Sequence, residues 1–233
     1  MRVNKWGVGI VLTAAVLLTG CSAGGSEKPA DEKPAAGAEE TTAPESDCPE
    51  LAEGATIDGA ELGTCITESM NDSSGYAAKT TVLGMESTAR YNPSTDAVES
   101  ISPAGSLIVI GDDVWVKSST SEWQVADPNS SDPVIAGLST GAATIAETDP
   151  ATAAGALTCE FTVTGTGTRL GEDVYLVSGT SEMQGVSVDI VYEVSSDYVV
   201  LASTANSEAA GQEIEITMEV TEWDVEQDIK APL

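Results

Sequence analysis

The sequence predicts an α+β fold in which an open, strongly curved antiparallel sheet carries helices on its concave side. Apolar and polar residues alternate along several C-terminal segments, which is typical of strands with one covered face. A helical pattern precedes the first strands. A stretch rich in Ala, Gly, Thr and Ser, with proline helix starts, interrupts the strands midway. Runs of strands combined with separate helices indicate the α+β class.

The chain begins with the pattern of a secretory signal. Arg2 and Lys5 form a short basic start, and residues 8–18 are almost wholly apolar. This apolar run is too short to span a bilayer, which takes about 20 residues.

The next residues indicate the type of signal. Leu18-Thr19-Gly20-Cys21 resembles the lipobox of bacterial lipoproteins. The resemblance implies cleavage before Cys21, diacylglycerol transfer to its thiol and acylation of the new amino group with a fatty acid such as palmitate. We therefore expect residues 1–20 to be a lipoprotein signal peptide. The mature protein would be anchored by lipid on the extracytoplasmic face of a cell membrane. The alternative is an ordinary signal peptide that happens to contain a cysteine.

Residues 21–47 are expected to be the lipidated cysteine and a disordered tether. From residue 22 onward this stretch contains no aromatic or branched aliphatic side chain. It cannot bury enough apolar surface to offset the entropy lost on ordering. The folded domain is therefore expected to occupy residues 48–233.

Charge and composition exclude several function classes. The chain has 38 acidic and 9 basic residues, a formal net charge of −29, so it would repel nucleic acids and anionic lipid headgroups. It contains no histidine, which excludes a histidine base or ligand. We expect a monomer without metal or cofactor. We also expect no enzyme, since no G-x-S-x-G motif occurs; a Ser–Lys dyad is the alternative.

The first elements of the domain are a helix, a strand and a hairpin. Residues 57–70 have helical spacing, with Asp58 as the candidate cap. Residues 76–91 resemble one long strand that ends at Asn92-Pro93. Residues 106–110 and 114–118 flank Gly111-Asp112-Asp113 and predict a short hairpin. Its two aspartates could bind Ca²⁺ weakly, but a solvated turn is the favoured interpretation.

The second half predicts further helices and strands. Residues 132–157 indicate one or two short helices that start at Asp132-Pro133 and Asp149-Pro150. Strands are predicted at 159–164, 173–178, 186–194, 197–203 and 214–221, which brings the total to about eight. Alternation slips near Glu222, which predicts a bulge or a strand end.

Three cysteines remain after lipidation of Cys21. We expect Cys48 and Cys65 to form a disulfide that fixes the start of the domain, since this compartment permits such bonds. The rival pairing is Cys65–Cys159. In the favoured pairing, Cys159 acts as a small buried apolar group beside Phe161.

Aromatic residues are the candidates for a ligand pocket or its rim. The ones that we select are Trp115, Trp123, Tyr192 and Trp223. The alternative is that these side chains are ordinary core or rim residues of strands.

Three segments of the domain resemble the LolA/LolB-like superfamily of lipoprotein carriers, in particular its LppX/LprG-type actinobacterial lipoproteins. They are the helix and strand over residues 61–91, the Asp113-Val114-Trp115-Val116-Lys117 segment followed by Trp123, and the ending from Glu222-Trp223-Asp224 to Asp228-Ile229-Lys230-Ala231-Pro232. The likeness implies a half-barrel of antiparallel strands closed by helices around an apolar cavity.

The same resemblance implies a function. We expect a membrane-anchored lipoprotein that binds an apolar ligand, a lipid or an acyl chain, for carriage or exchange at the membrane. The alternative is an extracytoplasmic sensor or protein-interaction module on the same scaffold. The central segment holds few large apolar side chains, which favours a small pocket.

Overall fold

The computed structural model describes residues 48–146, 154, 157–183, 186–209 and 211–233. These residues form an α+β fold with one antiparallel sheet of twelve strands and two helices. The helices are α1 (Gly59–Asn71) and α2 (Pro133–Ala146). The strands are β1 (Thr56–Asp58), β2 (Tyr76–Val82), β3 (Met85–Asn92), β4 (Ala97–Ile101), β5 (Gly105–Ile110), β6 (Asp113–Ser118), β7 (Gln124–Val125), β8 (Glu160–Arg169), β9 (Glu172–Met183), β10 (Val186–Ser195), β11 (Val200–Ala209) and β12 (Gln212–Trp223).

The sheet consists of two meanders joined side by side. Its order is β1-β8-β9-β10-β11-β12-β2-β3-β4-β5-β6-β7. The chain runs outward from β2 to β7, passes through α2, and returns from β8 to β12 beside β2. Strand β1 lies at one edge and β2 lies in the interior, so α1, which links them, crosses one face of the sheet.

Helix α1 begins where the sequence predicts. The Asp58 carboxylate accepts hydrogen bonds from the backbone N–H groups of Ala60 and Glu61, at 2.9 and 3.1 Å. A disulfide then joins Cys65 of α1 to Cys48, with Cα atoms 5.9 Å apart. This is the pairing that the sequence favoured, and it holds the start of the domain against the helix.

Helix α2 begins at the predicted proline. Asp132 accepts a hydrogen bond from the backbone N–H of Val134 at 2.8 Å, and Pro133 occupies the first turn. The helix predicted from Asp149-Pro150 lies outside the described residues. No helix within the described part of the chain is long and apolar enough to cross a membrane.

Both helices pack on the same face of the sheet, here called the helical face. The larger hydrophobic cluster unites Leu62, Ile66 and Met70 of α1 with inward side chains of β8 to β12. The smaller one unites Ile135 of α2 with Val98, Leu107, Val109 and Val116. Each helix therefore covers its own part of the sheet.

The shape of the sheet differs from the strongly curved half-barrel that the sequence predicts. The sheet is neither closed nor strongly curled. Its edge strands are far apart in the sheet order, since among the described strands β1 pairs only with β8 and β7 only with β6. Two separate clusters, each with its own helix, bury the apolar side chains without closure around one central cavity.

The predicted long strand over residues 76–91 is wrong. It is a hairpin of β2 and β3 that turns at Leu83 and Gly84, whose φ angles are 51° and 75°. Positive φ at both central residues is typical of the two-residue turns that join twisted strands. The prediction also missed β1, β4 and β7, because these strands are short or lack clean alternation.

The C-terminal strands lie where the alternation predicts them, though most of them extend further. The slip near Glu222 is a bulge, because the pairing of β12 with β2 shifts between Val220 and Glu222. This shift brings Trp223 opposite Tyr76.

Candidate ligand-binding site between the two helices

A row of apolar side chains crosses the helical face from one cluster to the other. The paired positions are Trp223, Tyr76, Tyr91, Val98, Val109 and Val114, one on each of six neighbouring strands. The Tyr76 and Tyr91 rings stack with centroids 4.8 Å apart, and Trp223 lies 5.7 Å from Tyr76. Such cross-strand aromatic contacts stabilise the sheet where they meet.

A cleft of about 330 Å³ opens over the middle of this row. We call it the aromatic cleft; its floor is Tyr76, Tyr91, Val98 and Val109. The volume is at the small end of the roughly 300–1,000 Å³ that small-molecule sites occupy. The rest of its lining comes from the end of α1 and from the β3–β4 and β5–β6 turns, namely Asn71, Asn92, Pro93, Asp96, Ala97, Gly111 and Asp112.

The wall of the aromatic cleft beside Asn92 is fixed by the C-terminal segment. The Asn92 amide donates to the backbone carbonyl of Gln227 at 2.7 Å and accepts from its backbone N–H at 2.8 Å. Asn92 is buried, so these two bonds satisfy a side chain that would otherwise be costly to bury. The polar groups at the mouth are thus Asn71, Asp96 and Asp112, which are exposed.

A second surface lies further along β2 and β12 on the same face. Tyr76 and Val220 are buried beneath α1, but the face is only partly buried toward the opposite strand ends. We call this surface the inter-helix strip. Its members are Thr80, Ser203, Ala205, Ile214, Ile216 and Met218.

Among the described residues, neither cluster covers the apolar side of the inter-helix strip. Ile214 and Ile216 belong to neither hydrophobic cluster, although they face the same side as Met218, which packs against the larger one. At the strip's end the β2–β3 turn exposes Leu83 by 62% and Met85 by 40%. Large apolar side chains are therefore concentrated around one end of the strip.

The sheet separates the four aromatic residues selected from the sequence. Tyr192 is buried in the larger cluster, with its ring 5.8 Å from Phe161, so it is a core residue. Trp223 packs against Tyr76 beside the aromatic cleft. Trp115 and Trp123 lie on the opposite face. There the ammonium nitrogen of Lys117 lies 4.8 Å from the centroid of the Trp123 ring.

The floor of the aromatic cleft was missed from the sequence. Tyr76 and Tyr91 lie at the two ends of the segment that is predicted as one strand, and a single strand would place them far apart. The Leu83-Gly84 turn lies midway between them, and a turn there pairs the two tyrosines. Gly84 was the signal that could have found them, since glycine readily adopts positive φ.

The remaining candidates from the sequence are Cys21, Cys159 and the aspartates of the β5–β6 turn. Cys21 lies outside the described residues. Cys159 is partly buried against the larger cluster and is disulfide-bonded, so the expectation that it acts as an unpaired apolar group is wrong. Because Cys48 and Cys65 bind each other, the partner of Cys159 lies outside the described residues. Asp112 lies in the turn between β5 and β6, as predicted. No group of three or more acidic or cysteine side chains that could hold a metal occurs in the described part of the chain.

The charged residues that line the aromatic cleft, among those that the structure describes, are the acidic Asp96 and Asp112. No lysine or arginine in the described part of the chain lines it. The basic side chains of the described residues are engaged elsewhere: Lys79 with Glu86, Arg90 with Glu99, Arg169 with Glu193 and Glu219, Lys230 with Asp228, and Lys117 over Trp123. In the Arg169 pair, the hydrogen bond and charge of Glu193 raise the pKa of the guanidinium.

No model of a known protein family matches this chain, and no curated protein matches it. The functional proposals below therefore depend on the residues and on their arrangement.

Proposed function

We propose that this protein is a non-enzymatic, membrane-anchored lipoprotein that binds an apolar ligand along the inter-helix strip. The observation that carries the proposal is the position of Ile214 and Ile216. Both are partly buried on the helical face, yet neither belongs to a hydrophobic cluster that the described residues form. An apolar surface between packed elements is a common place for a ligand.

The composition of the strip suits a slender apolar chain. Ala205, Ser203 and Thr80 are small, so they leave room beside the larger Ile216 and Met218. The hydroxyl groups make the strip less apolar than a protein core. A single acyl chain or a ligand of similar width fits this surface, held in an open groove because the sheet does not close.

The β2–β3 turn offers a route between the strip and a membrane. Leu83 and Met85 are exposed at the end of the strip, next to Val82, which pairs with Ile216. An exposed apolar turn can enter the boundary between headgroups and acyl chains. We propose that this turn contacts the bilayer when the ligand is exchanged.

The lipid anchor would keep the domain within reach of that bilayer. A flexible tether of 26 residues has a root-mean-square reach of about 28 Å, taking roughly 5–6 Å × √n. Two or three acyl chains on Cys21 would hold the anchor stably, because each buried CH₂ contributes about 0.8 kcal/mol. The resemblance to lipoprotein carriers agrees with this arrangement and remains part of the proposal.

Binding to the strip can be tested with two variants of adjacent residues on β12. N-phenyl-1-naphthylamine is an uncharged probe that brightens in apolar sites, so the negative charge of the protein does not repel it. Ile216→Trp should fill the strip and abolish saturable probe binding. Thr217→Trp places the same side chain on the opposite face and should leave binding intact. Equal binding by both variants would contradict the proposal.

The exchange route can be tested with a matched pair of leucines. Leu83 and Leu170 are both exposed, both have positive φ, and both precede a glycine in a hairpin turn. Leu83→Ser should slow transfer of the probe from phosphatidylcholine vesicles to the protein, whereas Leu170→Ser should not. Equal transfer rates would remove the β2–β3 turn from the exchange route without affecting the binding proposal.

A further inference from the structure

We propose that the aromatic cleft is a second site, separate from the inter-helix strip, which binds an organic ammonium group. The floor supplies the partly exposed ring of Tyr91, which stacks on the buried Tyr76, and the exposed residues Asp96 and Asp112 lie at the mouth. A cation that is attracted to the Tyr91 ring and to carboxylates, and that carries small apolar substituents, matches this lining.

The charges around the cleft select against anions. Among the described residues, Asp96 and Asp112 make no ion pair and no basic side chain lines the cleft. The chain as a whole carries a formal charge of −29. A carboxylate or phosphate entering the cleft would meet two uncompensated negative charges, whereas an ammonium group would be attracted.

A metal ion is a poorer match than an organic cation. The described residues contain no group of three acidic side chains that could hold a metal. Calcium takes about six to eight oxygen ligands. Half of the lining is instead aromatic or aliphatic, and Asn92, the buried amide on the wall, already uses both ends of its side chain on Gln227.

The size of the cleft limits the ligand to a small headgroup. A volume of about 330 Å³ accommodates a substituted ammonium group with a short substituent. The same chemistry occurs in free amines and in the headgroups of phosphatidylcholine and phosphatidylethanolamine. The shared feature that the cleft recognises is the positively charged nitrogen with its alkyl substituents.

Trp223 can serve as the reporter of binding. Its ring lies 5.7 Å from Tyr76, the floor residue, whereas Trp115 and Trp123 lie on the opposite face. In the mature chain, Trp115→Phe with Trp123→Phe leaves Trp223 as the sole tryptophan, because Trp6 lies in the expected signal peptide. Calorimetry on the unsubstituted chain provides a second readout that does not depend on these changes.

The probes are choline, its uncharged isostere 3,3-dimethyl-1-butanol, acetate and calcium chloride. We expect choline to change Trp223 emission saturably and to bind about tenfold more tightly than the isostere. Asp96→Asn together with Asp112→Asn should remove that preference. Asp173→Asn, an exposed aspartate in the distant β8–β9 hairpin, should not. Equal affinity for choline and its isostere, an unchanged preference in the double variant, or a response to calcium alone would overturn the proposal.

A further arm identifies the source of the ammonium group. Soluble diheptanoyl phosphatidylcholine should compete with choline at the cleft. Tighter binding than choline would assign the cleft to a lipid headgroup, whereas equal or weaker binding would assign it to a free amine. Ile216→Trp is designed to block the strip and to leave the cleft open. Choline binding by that variant therefore tests the ammonium site independently of the apolar-ligand proposal.

Discussion

Tyr91 stacks on Tyr76 with ring centroids 4.8 Å apart, and it packs against both hydrophobic clusters of the protein. The pair therefore joins the part of the sheet under α1 to the part under α2. The same two rings form the floor of the aromatic cleft. One contact thus links the stability of the sheet to the shape of a candidate site.

Removing the Tyr91 ring should destabilise the protein. We expect Tyr91→Ala to lower the free energy of unfolding by about 3 kcal/mol, at the low end for a large aromatic residue because Tyr91 is only partly buried. Tyr91→Phe keeps the ring and should cost less than about 1 kcal/mol. Urea unfolding of both variants measures the difference. Similar losses for the two variants would show that the hydroxyl, and not the ring, joins the clusters.

The Asn92 amide should hold the C-terminal segment in place. Asn92→Ala leaves the backbone N–H and carbonyl of Gln227 without their partners, and we expect a loss of about 3 kcal/mol from the two buried bonds. Asn129→Ala is the control, since Asn129 is exposed. Hydrogen exchange at the Gln227 amide should accelerate only in Asn92→Ala. Unchanged exchange there would show that other contacts hold the segment.

Two helical glycines should respond to alanine in opposite directions. A Cβ on Gly59 would overlap the backbone carbonyl oxygen of Cys159, whereas one on Gly141 would meet no described atom within 4 Å. Gly59→Ala should therefore cost about 1–3 kcal/mol by pushing α1 away from the start of β8. Gly141→Ala should add up to about 1 kcal/mol of stability, because alanine favours the helix. Thermal unfolding compares them, and a shift of the same sign in both variants would contradict the close packing at Gly59.

Tyr192 should make the protein sensitive to alkaline pH. Burial raises the pKa of its hydroxyl above the usual value of about 10. The contribution of Tyr192 to stability is fully present below about pH 10. It declines above that pH, because the unfolded chain releases the proton first. We expect Tyr192 to account for about 1 kcal/mol of the loss between pH 10 and 11.

Tyr192→Phe is the matched variant for this prediction, because it keeps the ring in the core and removes the titrating group. Its stability should fall less steeply than that of the unsubstituted chain over the same pH interval, as measured by urea unfolding. Part of the decline should remain, because burial also raises the pKa of Tyr198. Parallel pH profiles for the two proteins would contradict the burial effect at Tyr192.

The sequence predicts the elements well where local chemistry is strong. Asp58 and Asp132 mark the starts of both helices because their carboxylates bind the first free N–H groups of each helix. The bulge near Glu222 is also predictable from the sequence. The apolar residues of an alternating strand change from even to odd positions there, and this change needs one extra residue. These signals depend only on neighbours along the chain.

The arrangement of the sheet and of the site was harder to predict. The turn at Leu83 and Gly84 is short, and it contains a leucine with positive φ, which leucine rarely adopts. Missing this turn hid the pairing of Tyr76 with Tyr91. Strand alternation also does not show which face of the sheet the helices cover. The sequence therefore predicts Trp115 and Trp223 for the same pocket, although they lie on opposite faces of the sheet.

The most direct test of the apolar-ligand proposal is native mass spectrometry of residues 22–233, secreted behind a signal peptide without a lipobox and purified without detergent. We predict a population with added mass that extracts into organic solvent, and we predict its loss in Ile216→Trp but not in Thr217→Trp. A bare polypeptide mass in all three proteins would contradict the claim that the inter-helix strip holds an apolar ligand.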